Sequence, residues 1–385
     1  MCKLYLRQAL VAALLCSAGF SASYADGFSL PGPIKVQAGP LGPIEVQGVL
    51  SGMGFGQTNP SGSGLNGKDF GAAVTNGIVV VNKNTGLIQF SLEAGAYNYP
   101  SLGEPFTSTG SNTSGTTALP VAYITIAPTK QFSVNIGQLP SLLGYTGTLT
   151  FQRMNIEGGF PWYLQTTFSR GVQINYSYGP IAASVSWNDG YYSNRYNVIS
   201  GLVTYTINSQ NSVSIYGSGN AGHTGNINSE QNYSNNSYVT SDLPLDNSDL
   251  YGIYYTYSGK RFSFIPEVQY VYTPKNAAFG TTESSYNISA MIHADYYLTS
   301  NWSIAAGIDY EYSSSQRTPG QSYYFGYGPG SSAIGVMLTP TYTDGDYFIR
   351  DELSYVRLTN FTTGFGNSST RPDQIRDILE TGFWF

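Results

Sequence analysis

Charged residues are scarce in this chain. They make up 10% of its 385 residues, against roughly 25% in an ordinary soluble domain. Lys and Arg total 17 and Asp and Glu total 23, so the chain lacks the basic face that nucleic acid requires. Aromatic residues reach 15%, which excludes the usual disordered chain, whose charge is high and whose aromatics are few.

Cysteine and histidine are also nearly missing. The chain has two residues of each. Two cysteines cannot build a disulfide scaffold, and two histidines cannot build a rich metal site. We therefore predict no cofactor, no bound metal and no nucleic-acid partner.

The first 25 residues have the pattern of a secretory signal peptide. Lys3 and Arg7 give a positive start, residues 9–20 are apolar, and Ser23-Tyr24-Ala25 is a small-x-small cleavage site. The apolar run is too short for a membrane helix, which needs about 20 residues. No later stretch approaches such a helix, so the mature chain is predicted to be exported, and to be either soluble or membrane-spanning as strands.

Alternation of apolar and polar residues is the strongest pattern along the chain. Between 302 and 312 the even positions carry Trp, Ile, Ala, Ile, Tyr and Tyr, and the odd positions carry Ser, Ala, Gly, Asp and Glu. A period of two over about ten residues predicts a strand with one apolar and one polar face. Similar runs recur, and their length fits a tilted transmembrane strand better than the shorter strands of soluble domains.

The connections between these runs are alternately short and long. The short ones are turns rich in Gly, Asn, Asp or Pro. The long polar segments are 58–70, 98–117, 139–165, 189–197, 220–248, 274–284, 315–331 and 361–373. We predict an all-β fold, a transmembrane antiparallel up-and-down β-barrel of about 16 strands over residues 44–385, with short periplasmic turns and long extracellular loops. Residues 26–43 are predicted to form a short periplasmic lead.

The last strand carries the residues that suggest a family. Phe383 and the terminal Phe385 end an alternating strand and resemble the assembly signal of Gram-negative outer-membrane proteins. The whole mature chain resembles a bacterial porin. The middle resembles the putative beta-barrel porin family in three segments, which are Val134-Asn135-Ile136-Gly137-Gln138-Leu139-Pro140 with Gly144-Tyr145, Ser169-Arg170-Gly171-Val172, and Trp187-Asn188-Asp189-Gly190-Tyr191.

The resemblance implies a location and partners. It implies the outer membrane, with its lipid and lipopolysaccharide, and assembly by the barrel assembly machinery through the C-terminal strand. It also implies passive passage of small hydrophilic solutes and a homotrimer.

The segment 139–165 is the third long loop, and in porins this loop commonly folds into the lumen. It contains Arg153, Glu157 and Trp162, and glycines before Pro161 permit a tight fold. We predict a pore constriction in which Arg153 and Glu157 set a transverse field. The alternative is a surface loop that only covers the mouth.

Charged residues on the polar strand faces are the predicted pore wall. They are Glu45, Glu93, Arg170, Glu267, His293, Asp295, Asp309, Glu311 and Arg350. Acidic side chains that face a wet pore favour cations, so we predict a weak cation preference. The alternative is that these charges pair with one another or are screened by water.

Other sites are weaker hypotheses. Asp242, Asp246 and Asp249 have the oxygen ligands that calcium prefers, but a solvated acidic loop is the commoner outcome. A G-x-G-x-x-G run at residues 217–222 precedes no helical pattern, so it does not predict a nucleotide site. His293 shares a strand face with Ser289 and Asp295, yet such neighbours are about 7 Å apart, so we predict no enzyme.

The sequence therefore predicts an outer-membrane porin for passive diffusion of small hydrophilic solutes or ions. Two alternatives stay open. One is a substrate-specific channel, and the other is a structural or adhesive surface barrel without an open pore.

Overall fold

The structure is a computed structural model, and it describes residues 32–61, 65, 67–115, 117–224, 243–276, 283–314 and 326–385. The predicted signal peptide and Asp242 lie outside the described residues. Among the described residues no helix is long and apolar enough to cross a membrane.

In the part of the chain that the structure describes, seventeen strands form one antiparallel sheet. They are β1 (Ile34–Gln37), β2 (Pro43–Gln57), β3 (Phe70–Lys83), β4 (Ile88–Tyr97), β5 (Val121–Ile126), β6 (Phe132–Pro140), β7 (Phe168–Tyr178), β8 (Ile181–Asn188), β9 (Val198–Asn208), β10 (Asn211–Asn220), β11 (Asp249–Ser258), β12 (Phe262–Thr273), β13 (Ser285–Tyr297), β14 (Trp302–Ser313), β15 (Ser332–Asp344), β16 (Tyr347–Thr359) and β17 (Asp373–Trp384). Because β17 pairs with β2, strands β2–β17 close a barrel. The predicted fold class and strand number are confirmed.

Each strand turns one face outward and one face into the barrel. On β14, Ile308 is 59% exposed while the next residue, Asp309, is 1% exposed. Apolar side chains take the outward positions and polar ones the inward positions, as the period of two predicts. This is the arrangement that lipid outside and water inside would select.

The two rims of the barrel differ. Connections at one rim, the short-turn rim, are brief, as at residues 259–261 and 345–346, whereas those at the other, the long-loop rim, include 98–120 and 141–167. Where the structure describes the long loops, they contain three short α-helices, namely α1 (Thr109–Gly115), α2 (Phe160–Tyr163) and α3 (Leu243–Asp246), and a 3-10 turn at Thr150–Gln152. Exposed aromatics lie near the short-turn rim, as expected at a membrane interface. They are Tyr178, Tyr205, Phe262, Tyr296, Trp302 and Phe383.

Strand β3 does not alternate cleanly in sequence, and the structure gives the reason. Its pairing with β2 shifts between Ser51 and Gly52, which is a β-bulge. Thr75 and Asn76 are consecutive and both fully buried there. A bulge adds one residue to a strand and reverses the alternation beyond it, so the period of two is broken at this point.

The lead contains a strand that the sequence did not predict. The repeated motif Gly-Pro-Ile-x-Val-Gln pairs with itself, because β1 forms a hairpin with the start of β2. Lys35 lies 3.6 Å from Glu45 across this hairpin. Just beyond it, the N–H of Gly48 donates to the carbonyl of Phe385 at 2.8 Å.

Candidate functional site

The connection between β6 and β7, residues 141–167, lies against the inner faces of β12 to β17. We call it the inner loop. Its segment 147–162 is buried throughout. Part of the loop at 98–120 joins it, since the N–H of Gly158 donates to Pro100 and the N–H of Leu102 donates to Gly158, both at 2.9 Å.

Glu352 on β16 holds the inner loop by its backbone. Its carboxylate accepts the N–H of Ile156 at 2.6 Å and that of Glu157 at 2.8 Å. The hydroxyl of Thr339 donates to the same carboxylate at 2.7 Å, and Asn155 donates to Thr339 at 2.7 Å. Glu352 is 0% exposed, so these donors replace the water that a buried carboxylate would otherwise need.

Two predicted wall residues do the same on other strands. Asp309 on β14 accepts the N–H of Phe160 at 3.1 Å, and Glu267 on β12 accepts the N–H of Tyr145 at 3.1 Å. The Nε2 atom of His293 lies 2.9 Å from Asp309. These carboxylates therefore attach the loop to the wall instead of facing free water.

Two buried ion pairs complete the attachment. The guanidinium of Arg350 donates to Glu380 at 2.8 and 2.6 Å and to the carbonyl of Thr150 at 2.7 Å. Arg376 on β17 pairs with Glu157 of the loop. Charge-assisted bonds of this kind are stronger than neutral ones, and they connect the loop to β16 and β17.

Arg153 organises the loop itself. Its guanidinium donates to four backbone carbonyls at 2.7 to 3.1 Å, and it stacks 4.3 Å from the ring centre of Trp162. The carbonyls belong to Pro100, Gly147, Thr148 and Ile156. Burial, reinforced by the nearby Arg350 charge, lowers the pKa of Arg153 to about 9, so the group is still charged at neutral pH.

Apolar loop residues also pack on the wall. Leu149 and Phe151 belong to a buried cluster with strand residues near both rims. Its other members are Val49, Ile78, Tyr97, Val121, Phe168, Phe348 and Trp384. The loop thus reaches deep into the barrel on the side of β2 to β5 and of β16 and β17.

The remaining predicted wall residues are spread over the barrel. Glu93, Asp295 and Glu311 face inward from β4, β13 and β14 and are 9%, 2% and 6% exposed. Glu45 lies at the short-turn rim, where it meets Lys35. The structure therefore gathers Glu267, His293 and Asp309 around the inner loop and leaves Glu45 away from it.

Arg170 does not line the pore wall, and this prediction is wrong. It shares the outward face of β7 with Val172, which is 37% exposed. Its guanidinium pairs with Asp189 at 2.6 Å and lies 5.3 Å from the ring centre of Tyr192. Burial raises the pKa of Asp189, although Arg170 opposes the shift. The pair lies at the long-loop ends of β7 and β8.

Sequence reasoning missed several residues that hold the loop. They are Glu104, Glu352, Arg376 and Glu380. The alternation of β16 and β17 does place the last three inward, so parity could have found them. Glu104 lies in the loop 98–120, where its carbonyl accepts a bond of 2.7 Å from Arg376, and no sequence pattern indicates that contact.

The calcium site considered at Asp242, Asp246 and Asp249 lies partly outside the described residues, because Asp242 is not among them. Asp246 is buried and accepts the N–H of Tyr191 at 3.3 Å. In the described part of the chain no group of three His, Cys, Asp or Glu could hold a metal ion.

A polar-lined barrel with a loop bound inside it points to a channel family. The profile of the family described as "Putative beta-barrel porin-2, OmpL-like" matches residues 43–385. The chain belongs to this porin family. Curated proteins yield no match. The family assignment places the protein in the outer membrane and confirms the resemblance that the sequence indicated.

Solved structures share the fold of this porin at low sequence identity. The outer membrane channel DcaP of Acinetobacter baumannii has a TM-score of 0.58 and 12% identity, over 92% of this chain and 100% of that one. The anion-selective porin from Comamonas acidovorans has a TM-score of 0.59 and 10% identity, over 89% of this chain and 99% of that one. The trimer form of OmpT, an outer membrane protein of Vibrio cholerae, has a TM-score of 0.54 and 10% identity, over 89% of this chain and 99% of that one.

Proposed function

We propose that this porin is a channel for passive diffusion of small hydrophilic solutes, and that it has no catalytic role. The observation that carries the proposal is the closed barrel whose outward face is apolar and whose inner face is polar. A polar inner face lets water enter, and a hydrophilic solute can then cross without meeting lipid.

The inner loop is proposed as the constriction. Its support is the set of bonds from Glu267, Asp309 and Glu352 to loop backbone N–H groups. Arg153 and Glu157 act here as ties that fix the loop, because Arg153 binds carbonyls and Glu157 binds Arg376. A transverse field from these two residues is correspondingly weakened, since both charges are satisfied by near neighbours.

Planar-bilayer conductance tests the channel. Protein that is folded, as judged by heat-modifiable gel mobility, should give steady conductance. Deleting segment 143–163 should raise the conductance, because the loop fills part of the cross-section. Folded protein without conductance would contradict the channel and favour the surface-barrel alternative, and saturable currents blocked by one solute would favour the substrate-specific alternative.

We also propose a weak cation preference. Inward carboxylates exceed inward arginines on the described strands, where Glu93, Glu267, Asp295, Asp309, Glu311, Glu352 and Glu380 stand against Arg350 and Arg376. Their field in the pore falls off over the Debye length, about 8 Å at physiological ionic strength. The reversal potential in a salt gradient should indicate cations at low salt and approach zero at high salt. A potential of anionic sign would contradict this proposal.

A homotrimer is proposed on the basis of the outward face of β2, β16 and β17. Asp351 and Asp377 lie on adjacent strands within hydrogen-bonding reach and face outward. Beside them β2 presents Gly52, Gly54 and Gly56. Carboxylates are costly against lipid, and small residues allow another backbone to approach closely. A second copy that covers this face would shield the two carboxylates from lipid and pack on the glycines.

Assembly is proposed to use the last strand. Phe383 is 58% exposed on the outward face, and the ring of Phe385 occupies the space over Gly48, where a Cβ would lie 2.3 Å from the ring. The exposed aromatic end is the part that the barrel assembly machinery would meet. Lipopolysaccharide is the proposed lipid partner at the long-loop rim.

A further inference from the structure

We infer that a groove on the outer surface of the barrel, at the long-loop ends of β5 to β8, binds one acyl chain and the adjoining phosphate of a lipopolysaccharide molecule. The inference rests on the proposed contact with lipopolysaccharide and names its site. It follows from the shape of the groove and from the two rows of side chains that line it.

The groove, which we call the outer groove, has a volume of about 570 Å³, within the range of ligand-binding pockets. It lies where the wall is low, because β5 has 6 residues whereas β6 and β7 have 9 and 11. Leu119, shortly before β5, and Tyr196, shortly before β9, also line it. Segments of two loops therefore border the outer groove at the long-loop rim.

The side of the groove nearer the middle of the barrel is an apolar row. Ile136 pairs with Val172 across β6 and β7, and Val172 pairs with Trp187 across β7 and β8. All three face outward, at 48%, 37% and 59% exposure. The indole N–H of Trp187 donates to the carbonyl of Tyr196, which fixes the ring against the loop. This row offers an acyl chain a shaped apolar surface.

The side of the groove at the rim is polar and carries positive charge. Gln138 pairs with Arg170 across β6 and β7, one outward position nearer the long-loop rim than the apolar row. The side chain of Arg170 is 27% exposed while that of its partner Asp189 is fully buried, so the guanidinium lies on the outer side of the pair. Arg195, the residue before Tyr196, is also exposed. Two arginines thus stand against one carboxylate.

This order of polar and apolar groups matches a lipid of the outer leaflet. In a porin the long loops face the cell exterior, where lipopolysaccharide holds its phosphates at the level of the rim and its acyl chains below them. Groove and bilayer are both apolar, so burial of the chain alone gives no preference over bulk lipid. The preference comes from the charge-assisted contact between phosphate and guanidinium and from the fit of the chain.

A second copy of the chain is the other occupant to consider. The proposed contact between copies lies on β2, β16 and β17, and β3 and β4 separate β2 from β5. The outer groove is therefore outside that contact and remains open to lipid.

Native mass spectrometry of the purified protein in detergent, titrated with lipid A, tests the inference. Lipid A is the membrane anchor of lipopolysaccharide. Val172→Trp fills the groove and should weaken the binding of the first lipid A by about tenfold or more, as expected for an overpacked site. The matched control is Ile174→Trp, at the next outward position of β7, which is 49% exposed and does not line the groove. It should bind lipid A as the wild type does.

A second pair of variants tests the charged edge. Arg195→Ala should weaken binding by about two- to fivefold, as expected for one exposed charge contact. Arg261→Ala, an exposed arginine at the short-turn rim, is the control and should leave binding unchanged. Heat-modifiable gel mobility verifies that each variant is folded.

The outcomes separate the inference from the proposals on which it rests. If Val172→Trp and the wild type bind lipid A equally, the outer groove is not the site, although the contact with lipopolysaccharide stands. If Val172→Trp loses its oligomeric state in light scattering while lipid A binding is unchanged, the groove is a contact between copies and the inference is wrong. If the folded wild type binds no lipid A, the proposed lipopolysaccharide contact fails as well.

Discussion

Arg376 and Glu157 form an ion pair in which both side chains are almost fully buried, at 2% and 1% exposed. The pair joins the last strand of the barrel to the loop inside it. Breaking one partner of a buried pair leaves an uncompensated charge, so this contact fixes the position of the loop.

Glu157→Gln should destabilise the protein by about 3–5 kcal/mol, because Arg376 is left buried without a counter-charge. Heat denaturation in detergent micelles, followed by gel mobility, measures the loss. The control is Asp373→Asn, which breaks the exposed pair with Arg357 and should cost about 0–1 kcal/mol. Equal losses in the two variants would contradict the role of the buried pair.

Glu352→Gln should loosen the inner loop and raise single-channel conductance. The N–H groups of Ile156 and Glu157 bond to different oxygens of the Glu352 carboxylate. In glutamine an NH2 group, which only donates, replaces one of these oxygens, so one of the two N–H groups would face another donor. Noise in the open-channel current should also increase. Glu45→Gln, at the short-turn rim, is the matched control, and an identical conductance in both variants would argue against the loop as the constriction.

The stability of the loop 98–120 should depend on pH through Glu104. Burial raises the pKa of this carboxyl from 4.5 to about 7, although Tyr163 and Arg376 oppose the shift. The folded state therefore favours the protonated form. Its contribution to stability is complete below about pH 4.5 and is lost as the pH rises to about 7.

Thermal midpoints measured at pH 5 and pH 8 test this dependence. The wild-type midpoint should fall more between the two values than that of Glu104→Gln, which cannot ionise. Glu45→Gln should retain the wild-type difference. A Glu104→Gln midpoint that falls as far as the wild type would show that other groups cause the dependence.

Gly54→Trp should prevent association of copies without unfolding the barrel. A Cβ at Gly54 has open space around it, with the nearest atom at 4.0 Å, so the indole fits a single barrel and blocks only a covering partner. Light scattering in detergent gives the molar mass. The control is Ile215→Trp on β10, whose outward position is 60% exposed and is separated by five strands from β16 and by seven from β2, and it should remain oligomeric.

The sequence could predict the elements whose pattern is local. The alternation from Trp302 onward corresponds to β14, which begins at that residue, and the inward position of Asp309 follows from it. The bulge in β3 could not be predicted, because it depends on how β2 pairs with it. Likewise the unpredicted hairpin of β1 depends on a pairing between two copies of one motif.

The candidate site was harder to predict from the sequence than the fold. Parity placed Glu267 and Asp309 inside correctly, but it could not show that they accept backbone N–H groups, since the path of a loop is set by tertiary contacts. Arg170 was assigned to the pore wall because it is charged, and this was wrong. Its ion pair with Asp189 at the long-loop rim allows the guanidinium to stay on the outer side of the barrel. Glu104 carried no signal because it lies in an irregular segment.

The hairpin of β1 has a consequence for how the barrel is sealed. Strand β2 pairs with β3 along one edge, so β1 and β17 share its other edge, one directly after the other. The start of β1 at Ile34 therefore blocks any sliding of β17 toward the short-turn rim. A register slip of two residues, which would preserve the inside-outside pattern and so cost little elsewhere, would drive Phe385 into the hairpin, so β1 and β17 together determine a single alignment.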